Sequence, residues 1–376
     1  MSMMTSKERI TRQALGQEVD RVPLLGGWIG GAANLAELGE MPLATYLADP
    51  YAGMLHAHQH MGVDGLVQPV VFERADQVRT GSVMDESHPD VEPEALQEAA
   101  EALPDTERAV LADFDAAATE RRYRDYFERA FRTWGDLVPV PNFWEFGGPF
   151  PLYTEYGYIA FLSACALYPE AVARLWWARS LPARESAKIL VRLYREYDLV
   201  PLLFCGEDIC NNKGPMVSPE FLRAHYFPLE RAILAPFLEG GVRVVRHCDG
   251  DIRPLLDDFL AVGYSGFQGF QYELGVDLFD LRERRAADGR ELLLFTGLSV
   301  TRTLPFGTLE DVREEVSYFF DATQGGRGMF LFTSNVSGVE VPSAVLREAY
   351  RYAQTLNPHQ PGPHPKRPWP WGLTHP

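Results

Sequence analysis

The chain has few residues with which to staple itself or to cross a membrane. Its four cysteines (Cys165, Cys205, Cys210 and Cys248) in 376 residues are too few for a disulfide framework, and they read as free thiols in a reducing compartment. Cys205 and Cys210 stand too far apart for a CxxC pair, and with Cys165 they read mostly as small core residues. No apolar run approaches the roughly 18 to 20 residues of a membrane helix. The opening MSMMTSKERITRQAL lacks the apolar core of a secretory signal. Positive charge is also short: Lys and Arg number 35 against 52 Asp and Glu, a net charge of −17, with no basic run to offset it. Nucleic acid is therefore not expected as a partner. LLGGWIGG, after the first strand-like run, lacks the glycine spacing of a dinucleotide loop and the acidic residue about 20 positions on. A soluble cytoplasmic protein with neither a membrane nor a nucleic-acid partner is the expectation.

What the chain does have is apolar mass, 46% hydrophobic against 23% charged, enough for one large core. Eight short apolar runs read as buried strands: RVPLL from Arg21, DGLVQPVV from Asp64, VPNFWEF from Val140, LVPLLFC from Leu199, VRVVRHC from Val242, GYSGFQGF from Gly263, ELLLFTG from Glu291 and GMFLFTS from Gly328. Continuous runs separated by helical patterns mean strands covered on both faces and paired in parallel. Eight such units predict an α/β fold of the (β/α)8 TIM-barrel type over residues 1–356, with a doubly wound sheet as the alternative. The stretch from Phe72 to Leu137 is too long for one crossover and predicts an insertion after the second strand. That insertion is acidic between Asp85 and Asp105, helical from Thr106 to Thr133, and expected over the barrel mouth. The last 20 residues, from Asn357, hold seven prolines and the sequence PWPW. They read as a loose tail, the sharper alternative being an arm docked by Trp369 and Trp371.

Barrel enzymes place their chemistry at the C-terminal ends of strands. Cys205-Gly206-Glu207-Asp208 ends the fourth run and His247-Cys248-Asp249 the fifth, while Asn335 follows the eighth. His247 and Asp249, two apart on an extended end, point the same way, and Glu207 or Asp208 completes a mixed nitrogen and oxygen cluster suited to a divalent metal or to acid/base work. The plain alternative is that such residues cap helices or bond loop backbone. His56-Ala-His58-Gln-His60 leads into a strand rather than out of one and reads as surface or packing. Gly147-Gly148-Pro149-Phe150 turns near the mouth, and Tyr153 and Tyr156 after it are candidate substrate contacts or edge packing. Lys213 reads as an anion contact or a solvated lysine, Gln268 as a polar substrate contact, and Trp28, Trp144 and Phe146 as an apolar wall or core.

Four ordered segments resemble the superfamily of uroporphyrinogen decarboxylase and the cobamide-dependent methyltransferases: SKERITRQALGQEVDRVP, GEDICNNKGPMVSPEFLR, HCDGDIRPLLDDFLAVG and TGLSVTRTLPFGTLEDVREEV. The likeness runs from about Thr5 to Leu356 and itself implies the (β/α)8 barrel. It departs from the decarboxylases in two places. Their arginine-rich segment is replaced by LLGGWIGGAANLAE, which has no cation, and Val71 stands near the expected aspartate. It is closer to the coenzyme M methyltransferases, which the family pattern gives a zinc ion held by a His-x-Cys pair and a distant cysteine. Here His247 matches the histidine, Asp249 takes the place of the first cysteine, Asn335 falls about where the second would be, and Cys248 is one place off.

A His, Asp and Glu set is harder than thiolates and suits polarisation of oxygen rather than activation of a thiol. What the resemblance then implies is a metal-assisted methyltransferase, with zinc as the expected metal at His247, Asp249, Glu207 and Asn335, and Asp208 in reserve. It would move a methyl group from an ether or amine to a corrinoid carried by a partner protein. The other readings are a decarboxylase acting on a small carboxylate or a tetrapyrrole relative, and a barrel that binds a corrinoid or tetrapyrrole without turnover. A small-molecule substrate, a corrinoid protein and assembly as a homodimer are the partner expectations.

Overall fold

The computed structural model describes residues 3–77, 91–142, 152–359 and 362–370. Each of the eight apolar runs contains or adjoins a strand: β1 (Leu25–Gly26), β2 (Gly65–Val67), β3 (Val138–Val140), β4 (Leu202–Cys205), β5 (Arg243–His247), β6 (Gly266–Gln268), β7 (Leu293–Leu298) and β8 (Met329–Thr333). All pair in parallel, in a three-stranded sheet β1-β2-β3 and a curled five-stranded sheet β8-β7-β6-β5-β4. The fold is therefore mixed α/β, with helices outside the strands. Isolated parallel bridges link the sheets at both edges, Leu24 to Leu331 and Ile29 to Ser337 at one and Asn142 to Phe204 at the other. Hydrogen bonds at the first and last run from Leu331 N–H to Pro23 O at 3.0 Å and from Phe204 N–H to Pro141 O at 2.9 Å. Prolines explain why pairing thins there. Pro23 and Pro141 have no N–H to give, so at these bridges they offer carbonyls only.

Two apolar cores follow from the alternation of side chains along these strands. The inner one joins Leu25, Val67, Val140, Leu202, Phe204, Val245, Phe295, Phe330 and Phe332 from seven strands. Phe204 and Phe295 stack in it at 5.7 Å and 7°. Each such ring stabilises by about 1.5–3 kcal/mol on burial. The outer core packs the other strand faces against the helices.

In the long connection between β2 and β3, the helix Ala116–Trp134 is capped by Asp115, whose side chain accepts from Ala118 N–H. It buries Tyr123, Phe127, Ala130 and Trp134, one stripe at helical spacing. It packs between Pro50–His60 and Pro169–Glu196, the place of an ordinary crossover helix. The helices Glu94–Glu101, which is acidic, and Glu107–Val110 lie along Pro169–Glu196 instead, where Arg174 donates to Ala100 O and Leu103 O at 2.9 and 2.7 Å. So the described part of the insertion clads the flank and does not form the expected cover for the mouth. Arginines on the flanking helix attract it there. Residues 78–90 fall outside the described residues.

The tail is docked rather than loose, as far as it is described. Trp369 stacks on Tyr272 at 5.2 Å, Lys366 pairs with Asp280 at 2.5 Å, and Arg367 and His364 both reach Asp321 at 3.0 Å. Trp371 lies outside the described residues. No single helix among them is long and apolar enough to cross a membrane. The one bent pair that approaches the requirement, Tyr158–Leu167 with Pro169–Glu196, turns by 116°.

Candidate metal and acid/base site

His247 is the last residue of β5, Asp249 follows two places on, and Asp208 stands three places beyond β4. One ligand atom from each lies within 4.8 Å of the others. His247 Nε2 is 3.5 Å from Asp208 Oδ1 and 4.0 Å from Asp249 Oδ1. Two positive-φ glycines allow this closeness. A Cβ on Gly206 (φ +115) would meet His247 O at 2.4 Å, and one on Gly269 (φ +88) would lie 3.0 Å from His247 Nδ1 and 3.1 Å from Asp249 Oδ1.

The imidazole is oriented from behind. Gln268, at the end of β6 and 1% exposed, donates its amide N–H groups to Thr333 O and Ser334 O at 2.8 and 2.9 Å. That leaves its Oε1 to face His247 Nδ1 at 2.5 Å. An amide oxygen only accepts, so Nδ1 carries the hydrogen, and in the neutral ring the Nε2 lone pair points at the two carboxylates. This is the arrangement a metal-ligating histidine needs. Trp28 meets the ring edge-on at 5.5 Å and Phe204 lies 6.1 Å away, so the imidazole rests on the top of the inner core.

The carboxylates are held as firmly. Asp208 Oδ1 accepts from Asp249 N–H at 2.6 Å, and Asp249 Oδ2 accepts from Asn335 Nδ2 at 2.6 Å. The Asn335 oxygen is occupied by Val336 N–H at 2.7 Å, which fixes the amide so that its NH2 faces Asp249. Asn335 is therefore not the expected metal ligand but a donor that positions one. Burial and the neighbouring Asp208 push the Asp249 carboxyl up to about 7, against the pull of His247 and Asn335.

Glu207 also departs from the expected ligand set. It points away from Asp208, as adjacent residues of an extended segment do, and accepts from the Tyr226 hydroxyl. Burial raises it to about 8; Arg246 opposes that rise, but Arg246 is already paired with Glu230 at 2.6 Å. The group that could hold a metal ion is thus Asp208, His247 and Asp249.

Tyr153 is buried and faces the site. Its hydroxyl is raised first by burial and then by Asp208. It stacks on Tyr158 at 4.2 Å, and Tyr158 is pushed up to about 12 by burial and Asp208. Tyr158 was not among the sequence candidates, since only its place as the second of two stacked rings brings it here. Tyr156 instead faces Glu155 and Arg179. Lys213 is exposed at the turn of the hairpin Cys210–Asn211 and Gly214–Pro215. Trp144, Phe146 and the Gly147–Phe150 turn lie outside the described residues. The Cys248 thiol bonds Asp249 O at 3.2 Å and is raised by burial and by Cys210, so it packs beneath the site. His58 is fully buried, with Nε2 accepting from Gly27 N–H at 3.0 Å and its charge suppressed to about 4 by burial, a packing histidine.

Beside Asp249 opens a cavity of about 190 Å³ walled by Phe270, Val300 and Val336, with Glu273, Thr301 and Asn335 as polar points. Thr301 and Ser299 hydroxyls hold Glu273 at 2.6 and 2.8 Å. Among the described residues no lysine or arginine lines this cavity. The chain matches no protein-family model and no curated protein.

Proposed function

We propose that the protein is a metal-assisted methyltransferase that removes a methyl group from a small methylated molecule, within a closed (β/α)8 barrel of the uroporphyrinogen decarboxylase superfamily. The isolated parallel bridges at both sheet edges and the inner core fed by seven strands support closure. The observation that carries the function is the Asp208, His247 and Asp249 group with its lone pair and carboxylates converging. Donors about 2.1 Å from one tetrahedral ion are about 3.4 Å apart, close to the 3.5 and 4.0 Å separations here. The set therefore fits a divalent metal, zinc being the natural choice for one nitrogen and two oxygens with a place left open.

When bound, such an ion supplies a Lewis acid for the leaving oxygen or nitrogen. Gln268 keeps the His247 tautomer, Asn335 aims Asp249, and Tyr153 and Tyr158 exclude water from the Asp208 side. The cavity is small against the 300–1,000 Å³ of drug-sized sites, which favours a substrate of a few heavy atoms over a tetrapyrrole. Its apolar walls and the Glu273 carboxylate favour a cationic methylated amine over the carboxylate that a decarboxylase would take. The acceptor in this reading is a reduced corrinoid on a partner protein.

The test is metal analysis of protein purified without chelators, together with loss of cob(I)alamin absorbance on addition of tetramethylammonium. About one metal per chain and turnover that disappears in His247→Ala and Asp249→Ala are expected. Full turnover in both variants, or substoichiometric metal under replete conditions, refutes the reading.

A further inference from the structure

A second cavity lies at the other end of the strands. About 1,140 Å³ in volume, it opens where β5, β7 and β8 begin and is bordered by the turn after the first helix, at Gly16, and by the tail at His359 and His364. Its walls carry Arg243, Arg282, Arg285, Arg290 and Arg327 against two lining acids, Glu18 and Glu291; Arg290 also pairs with Asp288 at 2.6 Å, Arg282 with Glu283 at 3.1 Å, and Arg327 lies 3.8 Å from Glu291. In a chain of net charge −17 this is a concentration of the opposite sign.

Arg243 is the unusual member. It is 1% exposed, and its guanidinium donates only to neutral carbonyls: Ala14 O at 3.2 Å, Ser265 O at 3.3 Å and Glu291 O at 2.7 Å. Its Nε has no hydrogen-bond partner, and the nearest carboxylate, Asp288, is 4.0 Å away. Burial lowers its pKa to about 10, with Asp288 too distant to restore it. Arg246, three residues along the same strand, has Glu230 at 2.6 Å, so a close partner for a buried arginine is within the reach of this fold. Arg285 likewise donates to the carbonyls of Arg282 and Arg284 and makes no ion pair among the described residues. Gly16 and Gly289 face open space, leaving backbone within reach of a ligand.

A buried guanidinium without close countercharge is costly unless an anion completes it, and arginine forks match phosphate and carboxylate oxygens. We propose that this cleft binds a multivalent oxyanion, with Arg243 at its floor and Arg285, Arg290 and Arg327 at its rim. The site is separate from the metal group and does not depend on the methyl-transfer reading.

The test measures binding of pyrophosphate and of citrate by calorimetry and thermal shift, against sodium chloride of equal ionic strength. The proteins compared are the full chain, the rim variant Arg285→Gln/Arg327→Gln, and Asp249→Asn at the opposite end. Expected is a rise in melting temperature beyond that in chloride, kept in Asp249→Asn and weakened about 10- to 100-fold in affinity in the rim variant, the loss expected for one or two charge-assisted hydrogen bonds. Whichever anion gives the tighter binding names the group as phosphate or carboxylate. No effect beyond chloride, an undiminished affinity in the rim variant, or loss of binding in Asp249→Asn overturns the proposal. The last outcome places the anion at the metal site.

Discussion

The two ends of the strands treat buried carboxylates in opposite ways. At the N-terminal end Asp64, fully buried, is met by Arg9 at 2.5 Å, Arg21 at 2.7 Å, Ser6 Oγ at 3.0 Å and Leu24 N–H at 2.9 Å. Nearby Asp20 is held down to about 2 by Arg9 and Met4 N–H, which outweigh its own burial. At the C-terminal end no lysine or arginine among the described residues forms an ion pair with Asp208 or Asp249, and Asp249 rises to about 7. The same chain thus pairs its acids where stability is at stake and leaves them short of cations at the mouth. An undercompensated acidic group in a cleft is the pattern of a working site. What is missing there is positive charge, which a divalent ion or a cationic substrate supplies.

The comparison breaks most directly by removing one acid from each end. Asp64→Asn is expected to cost about 3–5 kcal/mol, because it takes a fully buried carboxylate away from Arg9, which keeps only Asp20, and from the part-buried Arg21, and to leave metal content unchanged. Asp249→Asn is expected to leave the metal-free protein within about 1 kcal/mol of wild type or more stable, since it removes a carboxyl raised to about 7, and to abolish metal binding. Urea unfolding with elemental analysis reads both. Equal destabilisation by the two variants would make the mouth cluster a stability device.

The pH response separates the ends without mutation. Asp249, at about 7, and Glu207 and Glu315, each at about 8, keep protons in the folded state that the unfolded chain has already released. Metal-free stability should therefore fall as pH rises from about 5 to 8. Asp20 contributes in the opposite sense: its stabilisation is present above about 4 and lost as pH falls through about 2. Saturating zinc should flatten the neutral slope in part, through Asp249, and leave the acid limb untouched. A flat metal-free profile from pH 5 to 8 would contradict the raised carboxyls.

A smaller effect tests how His247 is aimed. Gln268→Leu removes the acceptor for Nδ1–H and is expected to weaken metal affinity about 10- to 100-fold. Isothermal titration on the refolded, metal-free variant reads this apart from any loss of stability. Unchanged affinity would show that the tautomer is set elsewhere.

Much of this was legible in the residues. Runs such as VRVVRHC and GMFLFTS specify buried strands because continuous β-branched and aromatic stretches suit few other places, and strand ends then nominate His247, Asp249 and Asp208. The pair Glu207 and Asp208 was not separable, because adjacent extended residues face opposite ways and only the phase of the strand says which faces inward. The role of Asn335 depends on a single backbone N–H from Val336, and that of Tyr158 on a stacked neighbour. Neither leaves a trace in composition or spacing. The tail misled for a related reason. Proline predicts irregular backbone, yet irregular backbone docks well when Lys366, Arg367 and Trp369 find acids and a ring to meet.

That tail gives the finest test of the contrast, because it runs from the basic cleft at His364 to Trp369, whose indole N–H faces Glu315. Glu315 is fully buried, accepts from Ser299 N–H at 3.1 Å at the end of β7, and is raised to about 8 by burial, the largest influence on it. Trp369→Ala removes an indole N–H whose nearness favours the charged form, but it also opens the carboxyl to water. Since burial outweighs the hydrogen bonds in the intact protein, hydration should win and the Glu315 carboxyl should move down towards the ordinary range. The expected result is a loss of about 1–2 kcal/mol at pH 5 from the missing stack on Tyr272, judged from aromatic pairs and a partly buried ring. The neutral pH slope should also become shallower, so that the variant and wild type converge by pH 8. Parallel profiles, separated by the same gap at every pH, would show that Glu315 owes its raised value to the helices around it. The whole slope beyond Asp249 and Glu207 would then belong to the core rather than to the tail.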